Sequence, residues 1–203
     1  MRSRTTTLET AILGLLADSP LHGYELRKRL NLLLGSFRAF SYGSLYPCLK
    51  TLAARGLIEG QESHEAPPHA LTAKRSRVVY QLTADGKDYL NTVLASAGPA
   101  AWEDENFDVR FALFSLTDVE TRIRILEGRR ARLTERLETA RATTNQQHNR
   151  LDEFTSELHR HGLEQVEREV RWLDGLITTE RDRRRARSTN NAGNANPGTH
   201  VKE

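Results

Sequence analysis

The chain has one cysteine among its 203 residues, Cys48, so it can form no internal disulfide. No apolar run approaches the ~20 residues of a membrane-spanning helix. No charged-then-apolar leader opens the chain, and a cytoplasmic protein is expected. Also missing are a glycine-rich phosphate loop, a Cys–His cluster and a nucleophile motif. His159 and His161 stand two apart on a predicted helix, hence on different faces, a poor arrangement for chelating one ion. No enzyme, metal or cofactor is therefore expected.

What is present is a charged, moderately apolar sequence. Hydrophobic residues make up 37% and charged residues 28%, too apolar for a wholly disordered chain and long enough for one or two small domains. The net charge of +3 is unevenly spread. Residues 1–100 carry 12 Lys/Arg against 8 Asp/Glu, residues 101–180 carry 12 against 17, and residues 181–203 carry 6 against 2. A basic first half and an acidic middle fit a DNA-facing domain joined to one that does not touch DNA.

The organising stretch is Ser41–Glu59, SYGSLYPCLKTLAARGLIE. Leu45, Leu49, Leu52 and Ala53 recur at helical spacing and define a buried stripe. Ser44, Pro47, Lys50 and Ala54 lie opposite, a small face able to approach another surface closely. Gly56 stops the helix, and Leu57–Ile58 start a strand. A helix closed by glycine and followed by a strand is what a winged helix-turn-helix places in a DNA groove. Pro47 sits in the first turn if Ser44 is the cap, and costs one backbone bond if the helix starts at Ser41.

The flanking elements fit that frame. Arg2 and Arg4 sit in a polar N-terminal arm. Thr6 and Glu9 form a capping box for a first helix with Leu8, Ala11, Ile12, Leu15 and Leu16 inward. A second helix, about His22 to Leu33, turns Leu26, Leu30 and Leu33 inward and carries Arg27, Lys28 and Arg29 outward. Those cations either contact DNA phosphates or form a solvated face. Phe37 and Phe40 are expected core anchors in the turn that follows. Val78–Leu82 should pair back on Leu57–Glu62 as a two-stranded wing, whose connecting loop carries Lys74, Arg75 and Arg77. These either reach the DNA backbone or minor groove, or solubilise the loop. Thr83 caps a fourth helix with Tyr89, Leu90, Val93 and Leu94 inward. Cys48, in the recognition-helix segment, is either a redox-sensitive thiol or a small packing residue.

LHGYEL, GSLYPCLKTLAARGLIE and VVYQLTADGKDYL together make residues 5–95 resemble the PadR family of bacterial transcriptional regulators. His22 and Tyr24 match the family's HGY signature. The resemblance implies DNA contacts from Tyr42, Ser44, Tyr46 and Lys50, with inward packing the alternative for Tyr46. The loop of residues 62–77 is longer than the family's usual wing.

Past Gly98–Pro99 comes an aromatic segment with Trp102, Phe107, Phe111 and Phe114. A long helix follows, opened by a capping box at Thr117 and Glu120. Leu116, Val119, Ile123, Leu126, Leu133, Leu137 and Ala140 space as in a coiled coil, interrupted at Arg130. After a polar break a second helix carries Leu151, Phe154 and Leu158, then Leu163, Val166, Val170, Leu173 and Ile177. FDVRFALF and EVRWLDGLI resemble the C-terminal helical region of longer PadR-type regulators.

The expected fold is mainly α. A winged helix-turn-helix over 1–97 (three helices, a two-stranded wing and a fourth helix) precedes a helical hairpin dimerisation domain over 101–182 and a disordered basic tail over 183–203. The expected function is a ligand-responsive, homodimeric, DNA-binding repressor. Its partners are double-stranded DNA, a second copy and a small aromatic or drug-like effector, with no membrane. Trp102, Phe107, Phe111 and Trp172 either line an effector pocket or form ordinary core. The alternative is an interaction protein or activator whose helical half pairs with another regulator.

Overall fold

The computed structural model describes residues 2–34, 42–62, 78–147 and 152–193. They belong to two compact units, Met1–Asp118 and Val119–Glu203. Phe37, Phe40, Leu151 and the wing cations Lys74, Arg75 and Arg77 lie outside the described residues.

The first unit is built around α1 (Arg2–Asp18). Residues 7–14 are buried without a break, more than two turns, so the helix is covered on every side. A one-sided stripe was expected, and the difference has a physical reason. Thr7, Thr10 and Gly14 are small or internally satisfied, so they need not face water. The Thr10 hydroxyl donates to the Thr6 carbonyl at 3.0 Å, and the Thr7 hydroxyl to the Asn106 side chain. Thr6 is interior to α1 and caps nothing.

Strand β1 (Leu21–His22) leads into α2 (Gly23–Leu34), where Leu26 and Leu30 are fully buried and Leu32 is exposed. Helix α3 (Tyr42–Ala54) follows, then β2 (Ile58–Glu62), β3 (Val78–Leu82) and α4 (Ala84–Ala95). The sheet is antiparallel in the order β1-β3-β2, with Ile58 opposite Leu82 and Glu62 opposite Val78. It has three strands where two were expected, because Leu21–His22 pairs with Tyr80 and Val79. Two residues are too short to show alternation.

Pro47 lies inside α3, so the alternative with Ser44 as cap is not realised. An interior proline costs about 3 kcal/mol. Burial of Leu45, Cys48, Leu49 and Leu52 on the same helix, at about 2 kcal/mol for each leucine, outweighs it. Ala53 is exposed, and Cys48 takes its place in the stripe.

The junction of α3, wing and α4 turns on two glycines and a threonine. Gly56 has φ of +70° and ends α3 with Gly56 N–H donating to Ala53 and Leu57 N–H to Leu52, a Schellman closure. Thr83 caps α4 by accepting from the Gly86 N–H at 3.0 Å, while its hydroxyl donates to the Gly56 carbonyl at 2.7 Å. Gly86 packs so closely on β2 that a Cβ there would fall 1.9 Å from the Leu57 carbonyl oxygen.

Residues beyond Gly98 continue the first unit through α5 (Pro99–Trp102), α6 (Asp104–Ala112) and a 3-10 turn, Phe114–Leu116. The sequence places a boundary at Gly98–Pro99, whereas the compact unit extends to Asp118. Besides the Thr7–Asn106 bond, Leu113 and Arg110 hold α6 there. Leu113 packs on Gly14, where a Cβ would fall 2.4 Å from it. The buried Arg110 donates to the carbonyls of Val93, Leu94 and Ser96, capping the C-terminus of α4.

The second unit is a hairpin of α7 (Val119–Gln147) and α8 (Glu153–Gly193). Ion pairs Glu120–Arg184, Arg130–Asp174 and Arg141–Glu167 run in opposite chain directions, so the helices are antiparallel. Ile123, Leu126, Leu133 and Leu137 are buried with Leu173 and Ile177. At the predicted interruption Arg130 is partly exposed and pairs with Asp174 at 2.9 Å, while its neighbour Arg129 is buried and pairs with Glu169 at 2.8 Å. Leu116 is exposed outside α7, and the Thr117 hydroxyl donates to Leu113 instead of forming the predicted capping box. Helix α8 runs unbroken through Gly162 and on to Gly193. It therefore takes in Arg183–Arg187, part of the expected disordered tail; Arg183 with Glu180 and Arg185 with Asp182 pair along it. Residues 194–203 lie outside the described residues.

Gly86→Ala should force β2 and α4 apart. We expect a loss of about 2 kcal/mol or more and a thermal midpoint lower by roughly 5 °C, measured by circular dichroism.

Candidate nucleic-acid interface

Helix α3 buries one face in the core of the first unit and leaves the other outward. Gly43, Ser44, Pro47, Lys50, Thr51 and Ala54 are exposed. The outer face is small and carries a single cation, Lys50, so its backbone can approach a groove floor closely. The buried leucines set this orientation, because turning the helix would bring them into water.

Each predicted contact residue can now be placed. Tyr42 opens α3, and its side chain lies outside the described residues. Ser44 and Lys50 are on the exposed face. Tyr46 is half-buried and packs on the core, its hydroxyl over the first residue of α2: a Cβ at Gly23 would lie 3.2 Å from it. The glycine of HGY and the tyrosine of SLYP are thus two sides of one contact. Tyr46 also faces Tyr80, whose pKa is raised chiefly by burial and then by Tyr46. On α2, Arg27 is half-buried, Lys28 is exposed, and Arg29 pairs with Glu25 at 3.2 Å.

Cys48 is buried. Burial, reinforced by the nearby Glu9 carboxylate, pushes its thiol up to about 12. The thiolate needed for redox chemistry is therefore disfavoured, and Cys48 is a packing residue.

Phe107 and Phe111 stack with ring centroids 5.9 Å apart, and Phe111 meets Phe114 at 5.0 Å. Phe107 is buried, while Trp102 and Phe111 are half-buried. Trp172 belongs to the second unit, on α8, and is 44% exposed. A cavity of about 430 Å³ between α7 and α8 is lined by Arg130, Thr134, Glu135, Glu138, Val170 and Asp174, together with Ala131. It includes none of the four predicted effector residues.

The sequence did not single out Arg55 or Glu9 as a pair. Arg55 stands at the end of α3, donates to Glu9 at 2.8 Å and lies 4.9 Å from the Tyr89 ring centroid. Tyr89 first, then Glu9, hold its guanidinium above the ordinary value. The available signal was a basic residue beside a helix-ending glycine, where the helix dipole favours a cation. Its partner 46 positions earlier gave none.

Helix α2, the outward-facing helix α3 ended by Gly56, and the β2–β3 pair that follows make up a winged helix-turn-helix, the architecture of a DNA-binding transcriptional regulator. Residues 12–92 match the transcriptional regulator PadR-like family, and the chain belongs to that family. PadR family transcriptional regulators bind DNA. Among solved structures, a protein of Thermoplasma acidophilum described as a transcriptional regulator is 30% identical over 44% of this chain and 79% of its own, with a TM-score of 0.37. PadR of Bacillus subtilis in complex with operator DNA is 22% identical, over 85% of this chain and 98% of its own, with a TM-score of 0.39. The same regulator in complex with p-coumaric acid is 22% identical over 86% and 98%, with a TM-score of 0.38. No curated protein matches the chain. At these scores the family assignment rests on residues 12–92. Among the described residues no helix is long and apolar enough to cross a membrane.

Native protein should leave Cys48 unmodified by a thiol reagent over hours at pH ~8, and give one equivalent per chain in denaturant. Rapid native labelling would restore the redox reading.

Proposed function

We propose that the protein is a sequence-specific repressor that binds DNA as a homodimer and is released by a small aromatic or drug-like effector. The observation that carries this reading is the family match over residues 12–92, which runs from the second half of α1 through most of α4 and so includes the outward face of α3. In the proposal, Tyr42, Ser44 and Lys50 address the groove and Tyr46 sets the start of the helix. Arg27 and Lys28 on α2, with Lys74, Arg75 and Arg77 from the wing, take phosphates. Two copies would meet half-sites about one helical turn apart.

Dimerisation through the C-terminal helices is supported by α8. Phe154 is 83% exposed and Leu158 68%. Trp172 stands 18 residues, five full turns, beyond Phe154 and so on the same face. A water-exposed stripe of this kind is what a second copy would cover. For the effector, the support is that the B. subtilis regulator was solved with p-coumaric acid and that Phe107 and Phe111 offer stacked rings. Such a ligand would act by favouring one of two dimer states.

The test is titration against the duplex upstream of its own gene and a shuffled control, across a salt series. The native duplex should be preferred by ~10³ or more, with affinity falling steeply as salt rises. Changing Lys74, Arg75 and Arg77 to Ala should reduce the salt slope by up to about 0.9 for each phosphate contact removed. Equal, weak binding to both duplexes would favour the partner-protein reading.

Sedimentation of the full chain should give a dimer, and Phe154→Glu with Leu158→Glu should give a folded monomer. A monomeric wild type would leave the stripe to a different regulator.

A further inference from the structure

Arg55 is the last residue before the glycine that ends α3, and three elements meet on its side chain. Its guanidinium donates to Glu9 of α1 at 2.8 Å and lies over the Tyr89 ring of α4 at 4.9 Å, while its own backbone closes α3 through Thr51 at 3.1 Å. Glu9 is buried within a helix covered on every side, so its carboxylate has little water to turn to. The apolar contacts of Leu45, Leu49 and Leu52 hold α3 on the core but are non-directional and permit small changes of tilt. A charge-assisted pair has a fixed geometry. The start of α3 is set by Tyr46 over Gly23; at its end, beside the Thr83–Gly56 hydrogen bond to α4, this cluster supplies the charge-assisted tie to α1.

We infer that Arg55 is a positioning residue for DNA recognition: with Glu9 and Tyr89 it pins the end of the recognition helix to α1 and to the helix that carries the wing. The inference rests on the DNA-binding reading and deepens it. Tyr89 belongs to α4, whose cap Thr83 directly follows the wing strand β3, so one guanidinium ties recognition helix and wing to a common frame. Base readout requires both to be placed together, whereas phosphate attraction tolerates a tilt. Loss of the pin therefore removes preference for sequence and leaves general affinity.

Because Arg55 is partly exposed, the competing role is a direct phosphate contact, and Glu9 separates the two. Glu9→Gln removes the charge that makes the pin strong, without touching the DNA-facing surface. The experiment uses the full-length chain, a duplex selected by the wild type from a random pool, and its shuffled counterpart, each across a salt series. Thermal melting checks the fold. Glu9→Gln and Arg55→Met should each lower the preference for the selected duplex by about tenfold, with the shuffled affinity and salt slope close to wild type in Glu9→Gln. The inference is overturned if folded Glu9→Gln keeps its preference. It is overturned equally if Glu9→Gln binds both duplexes as tightly as wild type while Arg55→Met loses both together with about 0.9 of salt slope. Where Glu9→Gln does not fold, Arg55→Lys decides by the same preference, since it keeps the charge and loses the planar fork. A wild type that selects no duplex would instead overturn the DNA-binding reading itself.

Discussion

The burial of α1 on every side is the constraint from which the first unit follows. A helix covered all round has no solvent face on which to place a misfit, so each polar residue in it must meet a partner. Thr10 finds one in its own helix, Thr7 in Asn106 of α6, and Glu9 in Arg55 at the end of α3. The partners of Thr7 and Glu9 each fix an element. The apolar remainder of α1 supplies the driving force, and these two polar residues set where α6 and α3 sit along it.

A second set of constraints acts where α3, the wing and α4 join. The Gly56 carbonyl accepts from Thr83, Thr83 accepts from Gly86, and Gly86 leaves room only for the Leu57 carbonyl. Recognition helix, strand and capped helix are therefore closed into one ring of contacts by residues with almost no side-chain volume. In physical terms this explains the spacing of Thr83 and Gly86. The threonine caps the amide three residues on, and close packing on the Leu57 carbonyl leaves that residue no room for a Cβ.

The sequence revealed the elements whose signal is local and periodic. The leucines of α2 and α3, Gly56, the pairing of β2 with β3 and the Thr83 cap all appear as anticipated. Features that depend on distant partners did not show. A buried glutamate in α1 resembles half of a capping box until Arg55 is seen beside it. Arg110 looks like an ordinary cation in an acidic segment, yet it donates to the carbonyls of Val93, Leu94 and Ser96 at the end of α4 and holds α6 in the first unit; its burial lowers its pKa. Beside the gap that Arg130 leaves in the heptads of α7, Arg129 is likewise buried, with a partner 40 positions away. On the outward face of α3, the exposure of Ser44 and Lys50 was readable from spacing, whereas the inward lean of Tyr46 depended on the absence of a Cβ at Gly23.

The second unit poses a different physical problem. Helix α8 has 41 residues, yet among its described residues only Leu173, Ile177 and Glu180 are buried. Exposed ion pairs such as Arg181–Glu127 contribute at most about 1 kcal/mol each. The buried pair Arg122–Glu180 fixes register more than it adds stability, since both charges lose their water. Two buried aliphatic side chains, at about 2 kcal/mol each, cannot offset the ordering of so long a helix, which costs ~1 kcal/mol or more per residue before its hydrogen bonds are counted. The half-buried Leu163, Val166 and Val170, with the exposed Phe154 and Leu158, are the apolar surface still available. That surface is the largest remaining source of apolar burial for the hairpin, and in the proposed dimer its folding and its assembly would form a single equilibrium.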